Sequence, residues 1–298
     1  MKPPPTIERV WLGYLAAVTV VAATAPELEA RARLSHLVVH GAVLAAVLRV
    51  RWIAVHRSPD AARFWRAALA IVGLPVVFSA MAWLLPGVHP EPYEYLWLAV
   101  DRAWFGEDFA RLADRWLAPW SVELLQVVYA CFYGIPILAA LGALRRSGSA
   151  AFDRAMLLLV GGFLASYLGY LLVPTLGPKV VLAHAADVQG LWVTGPLRRS
   201  IDGAEANPWD CFPSGHTMLT VASLIIAWRW HRVLFWCLLV PASLLIASTM
   251  LLRYHWAIDV AVGALVAWPW ARLCDHLADR DGWPPAPAAG RAAGVTPA

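Results

Sequence analysis

Charge is scarce in this chain of 298 residues. Only 15 % of residues are charged, 60 % are hydrophobic and mean hydropathy is +0.59. That balance excludes a soluble globular protein. There is no basic block and no aromatic–basic surface, which excludes nucleic acid as a partner. Cysteine occurs four times, at Cys131, Cys211, Cys237 and Cys274, with no CxxC spacing. This supports neither a zinc site nor a disulfide framework, and the four read as packing residues. No metal and no cofactor is expected. No period marks a repeat protein. Lysine is confined to Lys2 and Lys179; the other basic residues are arginine.

What the chain has instead is apolar runs, at about 10–25, 36–55, 64–85, 122–144, 156–173, 215–230, 233–252 and 256–273. Their length predicts membrane-spanning helices, and 17 tryptophans suit many membrane–water boundaries. The expectation is an all-α polytopic bundle of about eight transmembrane helices. Residues 1–60 hold the N-terminal helices, 61–273 the catalytic membrane domain, and 274–298 a disordered Pro/Ala-rich cytoplasmic tail. The first run, ending at Ala23-Thr24-Ala25, reads as a retained helix or a cleaved signal peptide. The retained helix is expected because more helices follow. Residues 96–117 read as an amphipathic helix lying at the interface, since Asp101 and Arg102 oppose a span. With eight spans, fifteen basic residues fall on one side and nine on the other. The first side is then cytoplasmic, and the bilayer is expected to be the bacterial inner membrane.

Two motifs carry chemistry. In the first, Cys211-Phe212-Pro213-Ser214-Gly215-His216-Thr217, Ser214 has the chemistry of a helix N-cap. The first helical amides then form an anion site suited to phosphate, and His216 stands in the same turn. The bland alternative is an ordinary capped helix. In the second, Arg253-Tyr254-His255-Trp256-Ala257-Ile258-Asp259, His255 and Asp259 share one helix face at i and i+4. A carboxylate there fixes an imidazole tautomer; the bland alternative is a structural His–Asp tie. Both motifs open helices from the non-cytoplasmic side, at equal depth. A phosphate on helix amides, one histidine as nucleophile and one as acid make a phosphoryl-transfer set that needs no metal.

Phe212-Pro213-Ser214-Gly215-His216 and the His255/Asp259 pair, about forty residues apart, resemble the second and third motifs of the type 2 phosphatidic acid phosphatase / haloperoxidase (PAP2) superfamily. The resemblance covers about residues 160–270 and implies a six-helix core. Arg253-Tyr254-His255 with Ile258-Asp259-Val260 is similar to the branch of inositolphosphotransferases and sphingolipid (inositol phosphorylceramide) synthases. The stretch from Leu98-Ala99-Val100-Asp101-Arg102 to Phe105-Gly106 is weakly similar to that branch. The resemblance implies that His255 is the nucleophile, Asp259 orients it, and His216 protonates the leaving alkoxide and then activates the acceptor. It also implies that Ser214 and Gly215 bind phosphate oxygens.

Two departures stand out. The phosphatase pattern has an arginine six residues before the nucleophile, where this chain has Thr249. Its first motif, a lysine followed seven residues later by Arg-Pro, is unmet: Lys179 is followed by Ala186-Asp187. Lys179 and Arg253 are therefore expected to supply the cationic clamp; the bland alternatives are an interfacial lysine and a headgroup anchor. Tyr254 reads as lining the lipid path or sitting in the aromatic belt; His184 reads as a substrate contact, with a solvated loop histidine as the bland alternative. His36 and His40, also at i and i+4, read as a buried polar contact rather than a metal pair. The expected reaction moves a phospho-headgroup from a membrane phospholipid to an alcohol. The alternatives are hydrolysis of a lipid phosphate, with water as acceptor, and a non-catalytic lipid-binding or transport protein.

Overall fold

The computed structural model describes residues 6–89, 91, 93–183, 188–205 and 207–284. Twelve α-helices and no strand occur among them. These are α1 (Thr6–Thr24), α2 (Ala30–His56), α3 (Pro59–Val88), α4 (Glu94–Phe105), α5 (Phe109–Asp114), α6 (Pro119–Ala130), α7 (Ile135–Leu172), α8 (Pro178–Val181), α9 (Thr194–Ala204), α10 (Gly215–Trp230), α11 (Arg232–Leu251) and α12 (Ala257–Arg280). Among the described residues α1, α2, α3, α7, α11 and α12 are long and apolar enough to cross a membrane. The protein is an all-α polytopic membrane bundle.

Helix α10 is only 16 residues long and packs against α7, α11 and α12. Its apolar residues are buried nearly all round, as expected for a central helix rather than a lipid-facing one. Gly263 lets α12 approach α10 closely, because a Cβ there would lie 2.6 Å from the Ser214 carbonyl oxygen. One continuous buried cluster joins residues of α1, α2, α3, α7, α10, α11 and α12. His36 and His40 lie buried in α2 with rings stacked at 3.9 Å. Their Nδ1 atoms face the carbonyls of Ala80 and His36.

Four features depart from the sequence reading. The fourth run divides between α6 and the start of α7, which also contains the fifth run and breaks at Gly148 (φ 80°), where left-handed backbone favours glycine. The expected interfacial helix at 96–117 is two helices, α4 and α5. Gly106 at φ 79° ends the first, and Arg102 holds Asp108 at 2.6 Å across the break. The loop after α7 contains α8 and α9. The carboxylate of Glu123, on α6, accepts the amides of Leu191, Trp192, Val193 and Thr194 at 2.6–3.2 Å, and so caps α9 from another helix. Finally, the expected disordered tail begins too early. Helix α12 continues to Arg280, and Arg154 holds the carbonyls of Trp283 and Pro284 at 3.0 and 2.6 Å. Residues 285–298 lie outside the described residues.

Candidate active site

The two motifs meet at one end of the bundle. Ser214 caps α10, its Oγ accepting from the Thr217 amide at 3.2 Å. Its own amide donates to the Asp259 carbonyl at 3.1 Å, which ties the start of α10 to α12. Gly215 follows, with no room for a side chain: a Cβ would meet Tyr170 Oη at 2.5 Å. His216 is therefore fixed in the first turn, 7 % exposed.

The approach of His255 is set by the end of α11. Arg253 has φ 69°, the left-handed conformation usually taken by glycine after a helix. The amides of Tyr254 and His255 both return to the Thr249 carbonyl at 2.9 Å. A left-handed non-glycine residue costs about 1 kcal/mol or more. Here that turn delivers His255 to the site. The Arg253 guanidinium is directed to Asp114 of α5 at 2.7 Å, and its carbonyl accepts the Lys179 amide at 2.9 Å. The start of α12 is capped by two carboxylates. Asp259 accepts the Trp256 amide at 3.0 Å and Asp101 accepts the Ala257 amide at 3.1 Å.

The result is a chain of four groups. Glu205 Oε1 lies 3.1 Å from His216 Nε2, His216 Nδ1 lies 3.4 Å from His255 Nε2, and His255 Nδ1 lies 3.6 Å from Asp259 Oδ2. Tyr129 and Tyr133 donate their hydroxyls to Glu205 at 3.1 and 2.6 Å. The Tyr129 hydroxyl also lies 3.0 Å from His216 Nε2. Beside the chain is a cavity of about 220 Å³, bordered by both histidines, Lys179, Tyr254, Glu205 and Asp210.

Electrostatics favours a neutral His255. Burial, then the charge of His216, lower its pKa to about 4; Asp210, Glu205 and the Cys211 backbone offset this only in part. Burial raises Glu205, but the charge of His216 and hydrogen bonds from His216, Tyr133 and Tyr129 outweigh it and hold the carboxyl at about 2. Burial, then the charge of Glu205, raise Asp210 to about 6. Activity that needs a neutral His255 should therefore persist as pH falls below 6.5 and disappear as pH drops through about 4. A pH–rate profile with Asp210→Asn in parallel, removing the carboxyl that titrates near 6, checks this. A fall centred near 6.5 in both proteins would contradict it.

The structure thus brings His216, His255, Asp259 and Lys179 together. Lys179 donates to Asp202 at 2.7 Å and stands 4.6 Å from the centre of the Tyr254 ring. Tyr254 stacks on Tyr129 with ring centres 4.3 Å apart. Ser214 and Gly215 form the α10 terminus, with the Ser214 hydroxyl engaged as the cap. Arg253 lies beside the site, its guanidinium on Asp114. His184 lies outside the described residues. Sequence reasoning missed Glu205, Asp210, Tyr129 and Asp101; only Asp101 left a signal, in the stretch preceding Gly106. It also missed that Cys211 Sγ, His255 Nδ1 and an Asp259 oxygen lie within 4.8 Å of one another. No spacing of three residues drawn from two motifs forty positions apart announces that cluster.

The model of one family, described as the PAP2 superfamily, matches residues 96–273, more than half the chain. The chain belongs to the PAP2 superfamily. The matched region of this PAP2 protein runs from α4 through most of α12, so it includes Asp101, Glu205, Asp210 and both histidines. It excludes α1, α2 and α3, although these share the buried core. No curated protein and no solved structure matches the chain significantly.

Proposed function

We propose that this PAP2 protein is a membrane phosphotransferase that moves a phospho-headgroup from a phospholipid to an alcohol through a phosphohistidine at His255. The observation that carries the reading is the Glu205–His216–His255–Asp259 chain at the cavity. In the first step the His255 Nε2 lone pair attacks phosphorus. The bond to the lipid oxygen breaks, and His216 Nδ1 gives that oxygen its proton. In the second step the acceptor hydroxyl returns a proton to His216 Nδ1, its oxygen attacks phosphorus, and the P–N bond breaks. Asp259 is placed to hold the Nδ1–H of His255, although 3.6 Å is loose for a hydrogen bond; such contacts tighten when substrate binds. Glu205 accepts from His216 Nε2 and stabilises the imidazolium, leaving Nδ1 directed at the reacting oxygen.

Charge supports transfer from a phosphodiester over hydrolysis of a phosphomonoester. Lys179 is paired with Asp202, Arg253 with Asp114, and Glu205 and Asp210 also face or flank the cavity. Thr249 replaces the arginine of the phosphatase pattern, and its buried carbonyl serves the turn before His255. Arg198 shares Asp202 with Lys179 at 3.9 Å and lies 5.3 Å from the centre of the Tyr254 ring, so three cations stand beside four carboxylates, Asp114, Asp202, Glu205 and Asp210; that balance suits the single charge of a diester better than a dianion. Ser214, Gly215 and Lys179 are assigned to the phosphate oxygens, Tyr254 to the lipid path, and Arg253 to the geometry of the turn. The acceptor alcohol would be a lipid or sugar alcohol, as in the inositolphosphotransferase-like branch.

Product analysis tests this reading. Detergent-purified protein is offered phosphatidylinositol or phosphatidic acid, each with and without ceramide or diacylglycerol. A new phospholipid that requires the alcohol is expected. Free phosphate from phosphatidic acid, indifferent to the alcohol, would make the protein a phosphatase.

The excess of arginine in the opposite loops supports an active site on the non-cytoplasmic side. With the four native cysteines replaced, a single cysteine placed at Ala204, exposed at the end of α9 near Asn207, should react with an impermeant maleimide in intact cells. Reaction only after lysis would reverse the topology.

A further inference from the structure

We infer that Cys211, His255 and Asp259 form a binding site for a soft divalent cation of the Zn²⁺ class, and that filling it switches off the nucleophile. The three ligand atoms, Cys211 Sγ, His255 Nδ1 and an Asp259 oxygen, all lie within 4.8 Å of one another. The residues are 2 %, 4 % and 0 % exposed. Asp259 Oδ1 has no hydrogen-bond partner, and His255 Nδ1 makes none of standard geometry. The other carboxylate oxygen, Oδ2, accepts the Trp256 amide at 3.0 Å, so one Asp259 oxygen and the His255 Nδ1 remain buried without a bond of standard geometry. The 3.6 Å between His255 Nδ1 and Asp259 Oδ2 is long for a hydrogen bond. It is close to the edge of a tetrahedral zinc site, about 3.3–3.8 Å for metal–ligand bonds of about 2.0–2.3 Å. Cys211 Sγ completes the set; it now donates weakly to the Tyr254 carbonyl at 3.3 Å. Cys211 and His255 both border the cavity, which supplies an entry path and room for a fourth ligand such as water.

Charge and proton balance are consistent. Thiolate and carboxylate together neutralise a divalent ion, which favours it in a buried site. Binding releases the thiol proton to solvent. The metal takes the Nδ1 lone pair, and the neutral imidazole keeps its proton on Nε2 instead. Nε2 then has no lone pair for phosphorus, and Asp259 is drawn away from its orienting role. The site is thus an inhibitory one, and its distinguishing ligand, Cys211, takes no step in the transfer chemistry. The binding half of the inference stands independently of the transferase reading; the inhibition half rests on it.

The test uses the full-length protein in detergent. Cd²⁺ is titrated while the ultraviolet thiolate-to-metal band is recorded, for wild type and for Cys211→Ser. The difference between them should saturate at one ion per chain. His255→Ala, which keeps the thiol, should weaken Cd²⁺ binding at least about tenfold, since even outer-shell partners of metal ligands change affinity by about 10–100-fold. Zn²⁺ should inhibit wild-type turnover, and Cys211→Ser should need at least about ten times more Zn²⁺, each protein being compared with its own metal-free rate. Identical Cd²⁺ titrations for all three proteins would place the ion on Cys131, Cys237 or Cys274 and overturn the site. Binding that depends on Cys211 with Zn²⁺ inhibition unchanged in Cys211→Ser would overturn the switch. Absence of turnover with every lipid would count against the transferase reading alone, because the Cd²⁺ titrations need no activity.

Discussion

Replacing His255 by alanine is expected to abolish turnover, by roughly 10⁴-fold or more, while leaving the protein folded. Loss of a nucleophile that forms a covalent intermediate removes the first step itself, and losses of that order are usual when one member of a catalytic unit is deleted. The fold should survive for a local reason. The turn that carries residue 255 is held by backbone, with the amides of residues 254 and 255 on the Thr249 carbonyl and the Lys179 amide on the Arg253 carbonyl. The lost ring contacts face His216 and a cavity rather than the apolar core, so the stability cost should lie within the usual ~0.5–3 kcal/mol of a point substitution. Thermal unfolding of the detergent-solubilised variant, run beside the turnover assay, separates the two effects. Activity within tenfold of wild type would remove His255 as nucleophile.

His216→Ala should produce the second largest loss, and one that depends on the leaving group. With a natural glyceride leaving group the alkoxide needs a proton as it departs, and removing a positioned general acid costs about 10²–10⁴-fold. A p-nitrophenyl phosphodiester leaves without that help. The variant should form the phosphoenzyme from this donor at a rate much closer to wild type, and then stall when an alcohol must be deprotonated to attack. The geometry behind this is the 3.4 Å between His216 Nδ1 and His255 Nε2, which puts the proton donor beside the phosphorus the nucleophile would hold. Equal losses with both donors would mean that His216 acts by shaping the site and not by moving a proton.

The parts of this site that lie along one helix were legible in the sequence. His255 and Asp259 read as a pair on one helical turn, but α12 begins only at Ala257, and His255 stands in the turn before it, 3.6 Å from Asp259. Ser214 reads as a cap because cap chemistry is local. Helix class followed from the apolar runs for the same reason. Features made by one segment acting on another were not legible. Glu205 reaches His216 from just past the end of α9, a helix whose start is held by Glu123 on a different helix. Asp101 looked like an obstacle to a membrane span; its role emerges only when α4 lies against the start of α12, where it accepts the Ala257 amide. Arg253 read as a cation for phosphate because composition reports charge and not backbone conformation. Its left-handed φ and its bond to Asp114 make it the pivot of the turn before His255. The tail was judged by its Pro/Ala content, yet Arg154 on α7 fastens its first residues to the bundle.

The most direct test of the account is to trap the intermediate. Purified protein is mixed with a phosphodiester lipid in the absence of alcohol, quenched in base, digested and examined by mass spectrometry. The prediction is a base-stable, acid-labile phospho-headgroup adduct on His255, which disappears when an alcohol acceptor is added and never forms in His255→Ala. Steady transfer of the headgroup with no adduct on any histidine, in wild type and in the slowed His216→Ala variant alike, would contradict the phosphohistidine mechanism.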